Sequence, residues 1–362
     1  MTTTGVAAQL VLTALLVCLG WLTPSLSSRT VRFGVRVPDD RVADPVVQRE
    51  TRRFRTTLLI AGAIIAAVGV GLVLTAGVAL VPAPVLAQLI VWYLLYYRAN
   101  RVITAAKEEG GWFAGKRQAV TADTTLRSDP PKFPWAWLLL PVLVVVASAV
   151  LGVIRYPELP DPMPMHFDIN GVADRFAPKS VGSVFTVVFI QFGLTVLLCA
   201  IAALVFRGPA DVDPARPAAS VRAHREFITR LGKGFIALAT LIDLGLLATD
   251  LAMWNGSPNP GVLLPLTLGP ILVGVALLVV IIVRRNRDRE PDEHTGLSHR
   301  DDDNNWIGGI LYRNADDPSW FVQRRFGVGW TVNVGNRVAL VTCVSLTLVV
   351  IAFGLLLPLI LR

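Results

Sequence analysis

Histidine, cysteine and charge are all scarce in this chain, and most soluble-protein chemistry is excluded with them. The 362 residues include four His and three Cys. Cys18, Cys199 and Cys343 each sit inside an apolar run. They show neither metal-ligand spacing nor a disulfide framework, and read as small buried hydrophobes. No P-loop, dinucleotide fingerprint or nucleophile elbow occurs. Glycine-rich pieces such as Gly69-Val70-Gly71 fall within apolar stretches, where glycine serves close helix packing. Only 17% of residues are charged, against 53% hydrophobic, so no large soluble domain fits between the apolar runs. The expectation is a protein that is not an enzyme, with no cofactor and no metal.

What the chain has is hydrophobic length. Mean hydropathy is +0.57, and apolar runs fall at roughly 5–24, 57–81, 83–98, 135–154, 182–206, 234–254, 262–283 and 338–361. Most reach the ~20 residues a helix needs to cross a ~30 Å hydrocarbon core; the third is the shortest. Helices satisfy their own backbone hydrogen bonds in lipid, and the ten-residue alternation of an outer-membrane barrel is absent. The expected fold is an all-α polytopic membrane protein of about eight transmembrane helices.

Basic residues set the expected orientation. Segments 25–56, 98–134, 207–233 and 284–337 hold nearly all of the 34 Lys and Arg, in alternate loops. The other connections hold only Arg155, Arg175 and Lys179, and the chain closes on Arg362. The positive-inside rule then predicts four basic cytoplasmic loops, short extracellular ones, and an N-out, C-out topology. On that reading the net charge of +8 serves topology and anionic headgroups, and speaks against nucleic acid. The first run lacks a preceding positive charge and is followed by Arg29, Arg32 and Arg36, the pattern of an N-out anchor and not of a cleaved signal peptide.

The organisation expected along the chain has five parts. Residues 1–134 form a three-helix region with basic loops, and residues 135–206 a helix–loop–helix carrying the outer loop 156–180. Two further spans occupy 207–284. A mobile charged linker covers 285–305, because RNRDREPDEHTGLSHRDDDNN is nearly devoid of apolar residues. Residues 306–362 combine an aromatic and basic interfacial segment with the last span. Within the first part, Asp44-Pro45 is a short-helix start, and Arg49, Arg52 and Arg53 are spaced to face lipid headgroups together.

The loop 156–180, YPELPDPMPMHFDINGVADRFAPKS, is the strongest functional pointer. Pro157, Pro160, Pro162 and Pro164 remove backbone donors and fix φ, predicting a stiff, extended loop. Asn170-Gly171 predicts a turn. Leu159-Pro160-Asp161-Pro162, Pro164, His166-Phe167-Asp168, Asn170-Gly171, Asp174 and Lys179-Ser180 together resemble the hallmark of a bacterial membrane-protein family catalogued as a domain of unknown function. That domain also forms part of SdpI-like proteins, which confer immunity to a sporulation-delaying toxin. The family commonly has Asn where this chain has Asp168. A second block, Asp316-Asp317-Pro318 through Trp320-Phe321, Arg325-Phe326-Gly327, Gly329-Trp330-Thr331 and Asn333, resembles another uncharacterised bacterial domain often found C-terminal to the first.

From these residues three functions are expected. Recognition of an extracellular peptide, toxin or envelope ligand would use Pro160, Asp161, Pro164, His166, Asp168, Asn170, Gly171, Asp174 and Lys179, giving immunity or signalling. A proton- or solute-coupled transporter would use Asp243 and Asp250, which share a helix face; the alternative for these acids is a structural hydrogen bond to another helix, for which Gln88 and Gln191 are the polar candidates. A membrane scaffold would bind a cytoplasmic regulatory partner through Trp320, Arg324, Arg325 and Trp330. The location expected is the bacterial plasma membrane, multi-pass.

Overall fold

The computed structural model describes residues 2–119, 128–167, 173–208, 212–255, 260–285, 295–325 and 329–360. Nine α-helices are described: α1 (Thr2–Leu26), α2 (Pro45–Ala76), α3 (Pro82–Glu109), α4 (Leu139–Arg155), α5 (Val181–Val184), α6 (Thr186–Phe206), α7 (Pro217–Trp254), α8 (Pro260–Arg285) and α9 (Arg337–Ile360). Six are long and apolar enough to cross a membrane, and the chain is a helical, multi-pass membrane protein. Helix α3 falls short of that measure because its apolar part stops at Arg98. Of α9, only Arg337–Val349 is described as an apolar helix. The fold divides into two compact units, one of residues 123–210 and 218–292 with the first four residues, the other of 5–122, 211–217 and 293–362.

In the larger unit, α2 and α3 pack as a pair. The Asp44 side chain accepts from the Val46 N–H at 3.0 Å and Pro45 occupies the first turn, so α2 starts where sequence placed a short helix. It then continues unbroken for 32 residues, through the arginines and into the apolar run. Its Gly62 and Gly69, seven residues apart, give α1 a close seat: a Cβ would lie 2.3 Å from Val17 Cγ2 at the first and 2.5 Å from Gln9 Nε2 at the second. The apolar core gathers Phe33, Val35, Val37, Phe54, Tyr96 and Ile103. Phe33 and Val35 come from a tight hairpin of β1 (Val31–Arg32) and β2 (Val35–Arg36).

The same unit holds the small β elements of the C-terminal block. Strand β3 (Arg117–Ala119) pairs in parallel with β6 (Leu297–His299). Strands β7 (Trp306–Ile307) and β8 (Leu311–Tyr312) form one hairpin, β9 (Phe321–Gln323) and β10 (Trp330–Val332) another. Residues 295–305, expected as part of a mobile linker, therefore take a defined fold; 286–294 lie outside the described residues. Composition misled because the partners of this charged run come from elsewhere in the chain.

In the other unit, close glycine contacts join α6 to α7 and α7 to α8, and Gly152 of α4 seats Phe185 just before α6. A Cβ on Gly245 of α7 would sit 2.6 Å from the Leu266 carbonyl oxygen of α8. A Cβ on Gly274 of α8 would sit 2.5 Å from Leu238 Cδ1 of α7. Between α4 and α6, strands β4 (Met163–Phe167) and β5 (Ala173–Ala177) form an antiparallel hairpin.

Candidate functional site

The proline-rich loop is a clamped β-hairpin. Register runs Met163↔Ala177, Pro164↔Phe176, His166↔Arg175 and Phe167↔Ala173, with irregular steps on either side of His166. Pro164 has no N–H to give the ladder, which is tolerable in a two-stranded ribbon whose strands are both edges. Asp161, exposed beside Pro160, accepts the Lys179 backbone N–H at 3.0 Å. The Lys179 ammonium donates to the carbonyls of Leu159 at 2.8 Å and Pro157 at 3.3 Å, and lies 5.2 Å over the Tyr156 ring. Ser180 and Ser183 then form a reciprocal capping box that starts α5. Thus Asp161 and Lys179, singled out as ligand-binding residues, are brought together at the base of the hairpin. Asp174 is exposed on β5. Asp168, Asn170 and Gly171 lie outside the described residues.

Beneath the hairpin, Leu159, Met163 and Val184 are buried, packed by Tyr156, Met165, Phe185 and Trp254. On its outer side Phe176 is 55% exposed, next to exposed Arg175 and Asp174.

Trp254 links this seat to the acidic face of α7. It stands four residues beyond Asp250, which stands seven beyond Asp243, so all three share one helix face. Both acids are buried. Thr195 of α6 donates its hydroxyl to Asp243 Oδ2 at 2.6 Å, and Gln191 donates to the Asp243 backbone carbonyl at 2.9 Å. Gln191, one of the two candidates sequence offered for a hydrogen bond to these acids, meets the Asp243 backbone and not its carboxyl; Thr195 was not foreseen, a lone threonine in an apolar helix carrying no signal. Gln88 is buried in the other unit. Among the described residues, Asp243 Oδ1 and Asp250 Oδ2 are buried without a hydrogen-bond partner.

The aromatic and basic block is organised around Asn333. Its side-chain oxygen accepts the Asn314 and Gly335 N–H groups, and its amide donates to the carbonyls of Asn314, Asp317 and Ser319. Trp320 and Arg324 remain outward, with Arg324 Nε donating to the Trp330 carbonyl at 2.8 Å. Arg325, expected at an interaction surface, instead points inward and is 5% exposed. It donates to the Gly34 carbonyl at 2.8 Å, forms ion pairs with Asp302 and Asp303, and lies 4.9 Å over the Trp306 ring. Lys107, also buried, donates to Asp301 at 2.6 Å and Asp303 at 2.5 Å. Burial alone would lift the Asp302 carboxyl, but the Arg325 and Arg36 charges outweigh it and hold it below the usual carboxylate range. An open cavity of about 610 Å³ adjoins this network, with Tyr97, Arg101, Thr104, Asn304 and Trp306 among its walls.

The architecture defines a polytopic membrane protein with two specialised blocks, one at the hairpin and one at the ionic network. Residues 143–192 match the family model described as Domain of unknown function (DUF1648), which spans most of α4, the hairpin and the start of α6. Residues 315–340 match the model described as Family of unknown function (DUF5808), which covers the Asn333 hub and the start of α9. No curated protein and no solved structure matches the chain.

Proposed function

We propose that this is a multi-pass protein of the bacterial plasma membrane, with about eight spans and both termini outside, whose 156–180 hairpin faces outward. There it recognises an extracellular peptide, toxin or envelope ligand and confers immunity or signals inward, as the SdpI-like resemblance implies. The role is binding, with no catalytic step. The observation that carries the reading is the double anchoring of the hairpin. Asp161 and Lys179 lock its base, an apolar cluster seats it, and Phe176 is left exposed. A rigid loop that presents an aromatic beside charged residues loses little entropy on binding, and such aromatics are common interface anchors. The test is deletion of the gene followed by challenge with a panel of envelope-active peptides. Increased sensitivity that returns to normal with the wild-type chain but not with Phe176→Ala supports the reading. Unchanged sensitivity and no expression response would sink it.

A second reading is favoured by the orphaned oxygens of Asp243 and Asp250. A carboxylate inside a span is costly unless it is partnered or protonated, so these two fit a proton or cation relay on α7. Proteoliposomes carrying Asp243→Asn or Asp250→Asn decide it: proton flux and solute uptake identical to wild type would exclude transport through these residues.

A further inference from the structure

Helix α2 divides into two faces along its length. One is buried and carries Val47, Phe54, Leu58, Gly62 and Val73. The other is exposed, and its character changes along the helix. Arg49, Arg52, Arg53 and Thr56 come first, followed by Ile60 (58% exposed) and Ile64 (59% exposed) on the same stripe. At the basic end, Gln48 and the three arginines border a hollow of about 540 Å³.

Two properties of this hollow point to an occupant. The first is uncompensated charge. Three guanidinium groups within two turns repel one another, yet the nearby acid is engaged elsewhere: Glu50 is on the buried face, paired with Arg98 at 3.4 Å, and meets Arg49 only at 3.9 Å. Arg52 and Arg53 have no ion-pair partner among the described residues. The second is the aliphatic stripe that continues from the hollow. From Arg53 to Ile64 the helix rises ~16 Å at ~1.5 Å per residue, about half of a ~30 Å hydrocarbon core. An anion bound here therefore has an apolar track one leaflet long directly beneath it.

We propose that this face of α2 is a seat for one anionic phospholipid. Its phosphate is held by Arg49, Arg52 and Arg53, and an acyl chain lies along Ile60 and Ile64. Guanidinium forks suit phosphate oxygens, and each cation near a membrane surface contributes about a fivefold preference for anionic lipid. The site is independent of what the hairpin recognises.

The full chain is reconstituted in nanodiscs of equal parts phosphatidylglycerol and phosphatidylcholine, and retained lipid is counted by native mass spectrometry. Wild type is expected to retain phosphatidylglycerol selectively. Removing two arginines in R52Q/R53Q should lower that retention about 25-fold, fivefold for each, while Arg101→Gln on α3 should leave it unchanged. Glycerol phosphate, which lacks the acyl chain, should not displace the lipid. Should the double variant fail to fold, R53Q alone decides by the fivefold criterion. Equal retention of the two lipids, retention indifferent to R52Q/R53Q, an equal loss with Arg101→Gln, or displacement by glycerol phosphate would each overturn the proposal.

Discussion

The Arg325 guanidinium hydrogen-bonds the backbone carbonyl of Gly34 across 291 positions of sequence. Around that bond, Phe33 and Gly34 both adopt positive φ, and the Gly34 and Gly309 backbones touch. Asn100 donates to the neighbouring Phe33 carbonyl at 2.7 Å. The first basic connection, the end of α3 and the 301–325 segment are thereby closed into one polar knot. Its cations are Lys107, Arg36 and Arg325, and its anions Asp301, Asp302 and Asp303.

Removing Arg325 should open this knot. Arg325→Ala leaves Asp302 and Asp303 short of their main counter-charge in a half-buried setting, and loss of one partner of a buried pair costs about 3–5 kcal/mol. Arg325→Lys keeps the charge but loses the fork that spans a carbonyl and two carboxylates, so it should rescue only part. Hydrogen exchange measured on peptides covering 31–37 and 301–313 reports the result; protection equal to wild type in Arg325→Ala would contradict a structural role for the knot.

The Gly34–Gly309 contact makes a sharper steric prediction. A Cβ on Gly309 would lie 2.3 Å from the Gly34 Cα, which is backbone and cannot rotate aside, and Gly309 has φ +70°. Left-handed strain of roughly 1–2 kcal/mol adds to overpacking of about 1–3 kcal/mol. Gly309→Ala should therefore destabilise this unit by at least ~2 kcal/mol. Gly71→Ala in α2, where a Cβ meets nothing within 4 Å, should be neutral or slightly stabilising. Paired thermal melts in detergent compare the two.

These contrasts mark what sequence can and cannot carry. Membrane helices are legible because hydrophobic run length is a local property: α4, α6 and α8 lie where the runs put them, whereas α2 and α7 contain their runs but start well before them, at Pro45 and Pro217. The polar end of α3 is not legible, since Asn100 and Lys107 earn their helical positions from contacts with Phe33 and Asp301. The Asp301–Asp303 run resembles solvated charge because its cations, Lys107 and Arg325, stand far from it in sequence. Prolines announced a stiff loop at 156–180, but the pairing of Met163 with Ala177 has no alternating pattern to announce it. Arg325 read as surface because an arginine beside aromatics is usually exposed; only the fold turns it inward.

Acid should loosen the same knot, with a definite sign. The Asp302 carboxyl is held below its ordinary value of 3.8, so its ionised form is favoured by folding. That contribution is complete above the ordinary value and is lost as pH falls below 3.8 toward the folded-state value. Protection of the 301–313 peptides should hold steady from neutral pH to about 5 and fall below about 4. Asp302→Asn should flatten that fall while lowering protection at neutral pH.

Thr195 should matter through Asp243 alone. Its hydroxyl is the hydrogen-bond donor to that carboxyl among the described residues, and Thr195→Val removes it at nearly constant shape. The expected loss is about 1–3 kcal/mol, the cost of leaving a buried acceptor unpaired. The double variant Thr195→Val/Asp243→Ala should lose less than the sum of the single changes, because each single change removes the same hydrogen bond. Additive losses in thermal melts would show that the two residues are not coupled.

The hairpin clamp supplies the last expectation. Lys179 holds the carbonyls of Leu159 and Pro157 with its ammonium while its backbone N–H is held by Asp161. Lys179→Met keeps the aliphatic stem against Tyr156 and removes only the charge and its donors, whereas Asp161→Ala removes the acceptor for a backbone N–H. Each change should cost about 1 kcal/mol, too little to unfold the helices but enough to raise the open population of the ribbon severalfold. A two-stranded ribbon is marginal without support, so exchange of the Met163 and Ala177 amides should accelerate about fivefold in either variant. The Leu159–Met163–Val184 cluster, held by packing with Trp254, should keep its protection. If β4 and β5 exchange no faster, the apolar seat alone holds the hairpin and the clamp is dispensable.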